Sequence, residues 1–221
     1  MTGTDILMIL AREYLLGFAI AFLIGGIPFG WLLARLWKHV DIREHGSGNI
    51  GATNAWRVLG PVGGSVVFLL DLAKGIAPVL LANLELANGD RLYDQMAAGL
   101  GAVLGHSYSP YLGFKGGRAV ATGLGVFAAF SPLSALAAFV TWLVILTVCR
   151  YISVASVLGS FALAGYMLFV FPPAEGGQPL AGWLCLLGAV FVAWKHRPNF
   201  KRLAQGTEPQ IRLWWSRRDS P

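Results

Sequence analysis

Residues 119–149 read AVATGLGVFAAFSPLSALAAFVTWLVILTVC, thirty-one positions without a charge between Arg118 and Arg150. A helix of about 20 residues crosses the hydrocarbon of a bilayer. The stretch is therefore one overlong pass or a hairpin of two short ones. Ser131-Pro132 stands at its middle. Proline lacks a backbone donor and disfavours helix at the residue before it, so two helices are predicted, 119–131 and 132–149.

Charge supports the same division. With it the chain has seven apolar spans, near 14–36, 62–87, 95–113, 119–131, 132–149, 152–171 and 180–194. One side then holds Arg35, Lys38, Arg43, Arg57, Lys115, Arg118, Arg150, Lys195, Arg197, Lys201, Arg202, Arg212, Arg217 and Arg218. The other receives only Arg12 and Arg91, and Lys74 lies within a span. Basic residues flanking spans accumulate on the cytoplasmic side, and a single pass through 119–149 would spoil this asymmetry. The predicted fold is an all-α, polytopic integral membrane protein with seven transmembrane helices. Its N-terminus is outside, its C-terminus cytoplasmic, and residues 1–221 form a single membrane-embedded domain.

Composition agrees. Of 221 residues, 56% are hydrophobic and 13% charged, and the mean hydropathy is +0.61, values of a chain that faces lipid over most of its surface. The net charge of +6 does not indicate nucleic acid, because the basic residues cluster at span ends. Tyr14 to Leu36 is long enough to span and lacks a small-residue cleavage site, so it reads as an anchor and not a cleaved signal. Cys149 and Cys185 sit in or at the ends of apolar runs, which disfavours a disulfide, and neither CxxC nor HExxH occurs. No metal or cofactor is expected. Trp37 to His45 and the tail from Ile211 to Arg218 read as headgroup-level anchors. The glycine-rich helices 95–113 and 119–131 are predicted to pack closely. Asp71 and Lys74, three apart in a span, are predicted to pair toward the bundle interior, with a direct substrate role as the alternative.

The polar chemistry falls in three glycine-rich, basic islands. The first is Gly46-Ser47-Gly48-Asn49-Ile50-Gly51-Ala52-Thr53-Asn54 with Arg57. The second is Gly105-His106 with Phe114-Lys115-Gly116-Gly117-Arg118, and the third is His196-Arg197-Pro198-Asn199 with Gly206-Thr207-Glu208. Unhindered backbone N–H groups, small hydroxyl and amide donors and fixed positive charge are what a phosphate needs. Taken singly, each island also has a plain structural reading. The first is a glycine-rich turn, Lys115 and Arg118 are span-end anchors, and His106 is a packed histidine. His196 and Asn199 share a face if the last span continues, whereas Pro198 breaks it. Glu208 is placed to orient a cation or cap a loop.

Together, GSGNIGATN with Arg57, GH followed by FKGGR and AVATGLG, and HRPN with GTEP resemble the bacterial acyl-phosphate:glycerol-3-phosphate acyltransferases, the PlsY family, over nearly the whole chain. That family commonly has lysine where Arg118 stands. The resemblance implies a seven-span fold with a cytoplasmic active site in the bacterial inner membrane. It implies transfer of a fatty acyl group from acyl phosphate to the 1-hydroxyl of glycerol 3-phosphate, giving lysophosphatidic acid and phosphate. Ser47, Arg57, Lys115, His196 and Asn199 are implied as catalytic. Gly48, Asn49, Gly51, Asn54, His106, Arg118 and Glu208 are implied as shaping or supporting the substrate and phosphate site. Implied partners are the two substrates, membrane lipid and the soluble enzyme that makes acyl phosphate.

The chemistry is consistent with these residues. Acyl phosphate is already activated, so positioning, charge stabilisation and guidance of the leaving phosphate suffice. His196 is one candidate general base and a substrate phosphate oxygen is another; a phosphate-binding or positioning role for His196 is favoured. The His-x₄-Asp pattern of another glycerophosphate acyltransferase class is absent, since Glu44, Ile50, Tyr111 and Lys201 follow the four histidines at that spacing. A transporter of an organic phosphate anion is the alternative function. A Mg²⁺-dependent phosphotransferase would need clustered carboxylates that the islands do not offer.

Overall fold

The computed structural model describes residues 3–85, 91–171 and 179–211. Among them the regular structure is helical: α1 (Gly3–Gly26), α2 (Phe29–Lys38), α3 (Ala52–Glu85), α4 (Arg91–Ser107), α5 (Val120–Phe130), α6 (Pro132–Cys149), α7 (Ile152–Phe169), α8 (Pro179–Lys195) and α9 (Arg197–Ala204). Two 3₁₀ turns, Ile42–Glu44 and Pro110–Leu112, lie in the connections. The chain forms two compact units, Met1–Ser131 and Pro132–Pro221, described separately below.

Every expected span contains a helix, but several boundaries move. The run 14–36 is divided: α1 ends at Gly26, Pro28 caps α2, and the break falls where proline withdraws its donor. The freed carbonyls are met by side chains distant in sequence, Gly26 O by the Ser109 hydroxyl (2.6 Å) and Ile27 O by the Lys74 ammonium (2.8 Å). The expected span 62–87 starts close to its expected place: Gly60 is non-helical (φ 84°, ψ −177°) and divides α3 into a first segment, 52–59, and a second that begins at Pro61. Proline opens the second segment, where its missing N–H costs little, and Lys38 Nζ donates to Val58 O (2.7 Å) at the end of the first. The span 95–113 stops at Ser107.

Ser131-Pro132 does separate two helices, with Ser131 non-helical (φ −146°, ψ 86°). Four stretches among the described residues are long and apolar enough to cross a bilayer: Tyr14–Lys38, Ala52–Ala82, Pro132–Cys149 and Ile152–Phe169. Val120–Phe130 and Leu180–Lys195 are apolar but shorter. The eleven residues of α5 rise about 16 Å, roughly half of the hydrocarbon thickness. The expected anchor at Ile211–Arg218 lies, beyond Ile211, outside the described residues.

In the first unit α1 packs on α4, and α3 packs on α2, α4 and α5. Glycine permits these contacts, as the sequence suggested for 95–113 and 119–131. A Cβ at Gly105 would overlap Phe22 O of α1, and one at Gly125 would overlap Leu72 O of α3. Small residues thus let backbones touch where there is no hydrophobic drive to squeeze helices together. Lys74 and Asp71 pair as predicted, 2.8 Å apart and each about 2% exposed in the side chain.

In the second unit α7 lies between α6 and α8. The α6 face bearing Leu136, Phe139, Val140, Leu143 and Val144 is exposed, as expected of a helix presented to lipid. Arg150 makes the α6–α7 turn in the left-handed region (φ 62°), and its carbonyl accepts from Ile211 N–H (2.9 Å).

Candidate active site

The first island is wound around Asn54. Its side chain is 1% exposed, and Oδ1 accepts from Ser47 N–H (2.8 Å). Nδ2 donates toward Ile42 O (3.1 Å), His45 O (3.0 Å) and Asn49 O (2.8 Å). A Cβ at Gly46 would overlap Asn54 Oδ1, and Gly48 turns the chain at φ 70°. Asn49 Oδ1 accepts from Gly51 N–H (2.8 Å), which starts α3. Asn54 is thus spent on organising the loop. Ser47 is half-buried, and Arg57 stands exposed on the first turns of α3.

A buried carboxylate braces the approach to this loop. Asp41 accepts from Trp31 Nε1 (3.2 Å), Arg43 N–H (3.0 Å), and Arg43 Nε and Nη2 (2.9 and 2.6 Å). The Arg43 hydrogen bonds outweigh the upward push of burial and hold the Asp41 carboxyl well below the usual carboxylate range. Sequence reasoning did not single out Asp41. Its one signal was a charge two residues from Arg43 in a segment taken as an interfacial anchor.

The second island closes over His106, which is 4% exposed. Gly117 N–H donates to His106 O (2.9 Å). A Cβ at Gly117 would overlap the imidazole Nε2, and one at Gly116 would overlap the His106 carbonyl. The paired glycines are therefore needed so that the loop can lie on the histidine. Lys115 is exposed and Arg118 half-buried.

An apolar cluster joins the first two islands. Leu33, Ala34, Ile42, Ile50, Ala55, Val67 and Leu112 are buried together, so the loop before α3 and the turn before Lys115 share one end of this unit.

The third island belongs to the second unit. The helix does break, but Pro198 restarts it: α8 ends at Lys195, His196 caps α9, and proline sits in the first turn of α9 where it is tolerated. Asn199 N–H still donates to His196 O (2.8 Å), and both side chains are buried. His196 Nδ1 lies 2.8 Å from Val192 O. A carbonyl only accepts, so Nδ1 carries a proton and Nε2 is left to accept in the neutral ring. Gly206 (φ 69°) turns the chain back and brings Glu208 against Asn199. Glu208 Oε1 accepts from Asn199 Nδ2 (2.7 Å) and Ser153 Oγ (2.9 Å), and Oε2 from Arg202 Nε (2.9 Å). Burial raises the Glu208 pKa, yet these donors and the Arg202 charge hold it below its usual value. Ser153 and Arg202 were not foreseen as site residues. Arg202 lies only six positions before Glu208, but nothing in sequence linked Ser153 to a residue 55 positions away.

A family model for glycerol-3-phosphate acyltransferase matches residues 15–206. The chain belongs to the glycerol-3-phosphate acyltransferase family. Among curated relatives, the glycerol-3-phosphate acyltransferase of Desulforamulus reducens is 46% identical over 191 residues, 86% of this chain and 92% of that protein. That of Geobacter sulfurreducens is 45% identical over 194 residues, 88% of this chain and 95% of that protein. Two crystal structures of PlsY (YgiH), an integral membrane glycerol 3-phosphate acyltransferase, are similar throughout. The glycerol 3-phosphate form has a TM-score of 0.79 at 39% identity and covers 90% of this chain and 96% of that one. The lysophosphatidic acid form has a TM-score of 0.77 at 38% identity and covers 90% and 95%. No group of three or more His, Cys, Asp or Glu among the described residues is placed to hold a metal ion.

Proposed function

We propose that this acyltransferase moves a fatty acyl group from acyl phosphate to the 1-hydroxyl of glycerol 3-phosphate, giving lysophosphatidic acid and phosphate. Likeness over nine-tenths of the chain to an acyltransferase with glycerol 3-phosphate and lysophosphatidic acid forms carries the acceptor and product. The islands supply the chemistry. The hydroxyl oxygen attacks the acyl carbonyl, the bond to phosphate breaks, and the hydroxyl proton passes to the leaving phosphate or to a base. Ser47 offers a hydroxyl on the loop that Gly48, Asn49, Gly51 and Asn54 shape, while Arg57, Lys115 and Arg118 supply positive charge for the phosphates. The resemblance assigns His196 and Asn199 to catalysis as well, with Glu208 holding the Asn199 amide, and His106 supports the second loop. Arg118 keeps the charge of the lysine common in the family but offers a planar fork.

The donor assay is direct. Purified protein given glycerol 3-phosphate is expected to form lysophosphatidic acid with acyl phosphate and not with acyl-CoA or acyl carrier protein, and to do so undiminished in excess EDTA. Equal use of acyl-CoA would remove the donor assignment, and rescue by Mg²⁺ after EDTA would restore a metal mechanism. Uptake of labelled glycerol 3-phosphate into liposomes without product would favour a transporter.

We further propose a single multi-pass acyltransferase domain in the bacterial inner membrane, with seven spans, the N-terminus outside and all three islands cytoplasmic. There it would receive acyl phosphate from the soluble enzyme that makes it. Single cysteines beside Ser47, Lys115 and Asn199 are expected to react with an impermeant reagent only from the cytoplasmic side. Labelling near Asn199 from outside, with Ser47 protected, would make 119–149 a single pass.

A further inference from the structure

Asp71 and Lys74 have no part in the proposed chemistry, yet both are buried in the first unit. Taking an ion pair out of water is costly, and apolar residues of like size often serve stability as well or better. Their contacts point to a different use. Lys74 Nζ is held by Ile27 O (2.8 Å) at the α1–α2 break and by Asp71 Oδ1 (2.8 Å), with the Phe29 ring 5.5 Å away. Asp71 Oδ1 lies 3.7 Å from His106 Nδ1, which is also 3.2 Å from Thr122 Oγ1. The other edge of that imidazole meets Gly117, and the His106 carbonyl accepts from Gly117 N–H.

The loop resting on His106 is held in an unfavourable shape. Phe114 (φ 60°) and Ala119 (φ 56°) are both left-handed although each carries a Cβ. Such conformations persist where the surroundings over-determine them. Leu112 anchors one end of the loop in the shared apolar cluster and α5 anchors the other. Between them its seat is His106.

We propose that Lys74, Asp71 and Thr122 are positioning residues that lock the His106 imidazole and thereby hold the Lys115–Arg118 loop in its substrate-binding form. This rests on the assignment of Lys115 to phosphate. Lys74 is fixed to the α1–α2 break, Asp71 is fixed to Lys74, and the Asp71 charge and the Thr122 hydroxyl both face the same ring nitrogen, Nδ1. Removing the Asp71 charge frees the ring, and the strained loop relaxes.

The test uses the full-length protein in detergent. Asp71→Asn keeps the shape and an acceptor for Lys74 while removing the charge, and Thr122→Val keeps volume while removing the hydroxyl. In each, hydrogen–deuterium exchange across 113–119 is expected to quicken. KM for glycerol 3-phosphate is expected to rise about tenfold with kcat within about threefold, the signature of lost uniform binding. A purely structural role would lower the melting temperature and leave both the exchange of 113–119 and KM unchanged, which would overturn the proposal. A raised KM with unchanged exchange would overturn it too. Faster exchange with both KM and kcat unchanged would uphold the positioning and remove Lys115 from phosphate binding. If Asp71→Asn fails to fold, Thr122→Val decides.

Discussion

Alanine at Arg57 or at Lys115 is expected to lower lysophosphatidic acid formation by about 100-fold or more, the scale at which a charge-assisted transition-state contact is lost. Both side chains are exposed. Neither contributes to the apolar cluster that joins the first two islands. Thermal stability in detergent should therefore stay within about 0.5 kcal/mol of wild type, as for most surface substitutions. The loss should appear chiefly in kcat if the cation acts on the leaving phosphate, and chiefly in KM if it holds glycerol 3-phosphate equally before and during transfer. Steady-state kinetics with each substrate varied separates these cases. Near-normal turnover in either purified variant would reduce that residue to a topology anchor.

Alanine at Glu208 should damage both activity and folding, in contrast to the exposed cations. Its carboxylate is the common acceptor for Ser153, Asn199 and Arg202, and it is 8% exposed. Its removal leaves the buried Ser153 and Asn199 donors unmatched, for a cost of about 2–3 kcal/mol. The Arg202 side chain is a third exposed and adds little, since solvent screens it. Because Asn199 loses the partner that sets its amide orientation, turnover should fall about 100-fold, a scale typical of misplacing a positioned group. The pH dependence has a definite sign. A folded-state pKa held below the unfolded value of about 4.5 contributes stability that is full above that pH and is lost as pH falls through the lowered value. Glu208→Gln should flatten this acid limb. An unchanged acid limb would show that Glu208 is not ionised against these donors. Full activity in Glu208→Ala would make the third island a helix cap and nothing more.

Apolar run length and the sorting of basic residues made the membrane class and the helix positions legible, because both are local properties of the chain. Ser131-Pro132 marked a real helix break, since proline acts on its own backbone and its neighbour's. Pro28 had the same chemistry and was passed over because apolar residues flank it on both sides. Its cost is met by Lys74 and Ser109, distant in sequence. Pro198 shows the converse: the residue that ends one helix also suits the first turn of the next.

Composition alone determined that this chain lives in a bilayer, and the order of its three motifs pointed to the family. Which of the motif residues are exposed and which are spent within their own loops was decided only by tertiary structure. Asn54 and Arg57, three apart, part company because one amide can satisfy four backbone groups of a tight loop while a guanidinium on the next turn stays in solvent. Gly117 is required by an imidazole eleven residues earlier. Glu208 takes its role from a serine on another helix. Such requirements come from close approach between distant segments, and no local pattern of charge or hydropathy encodes them.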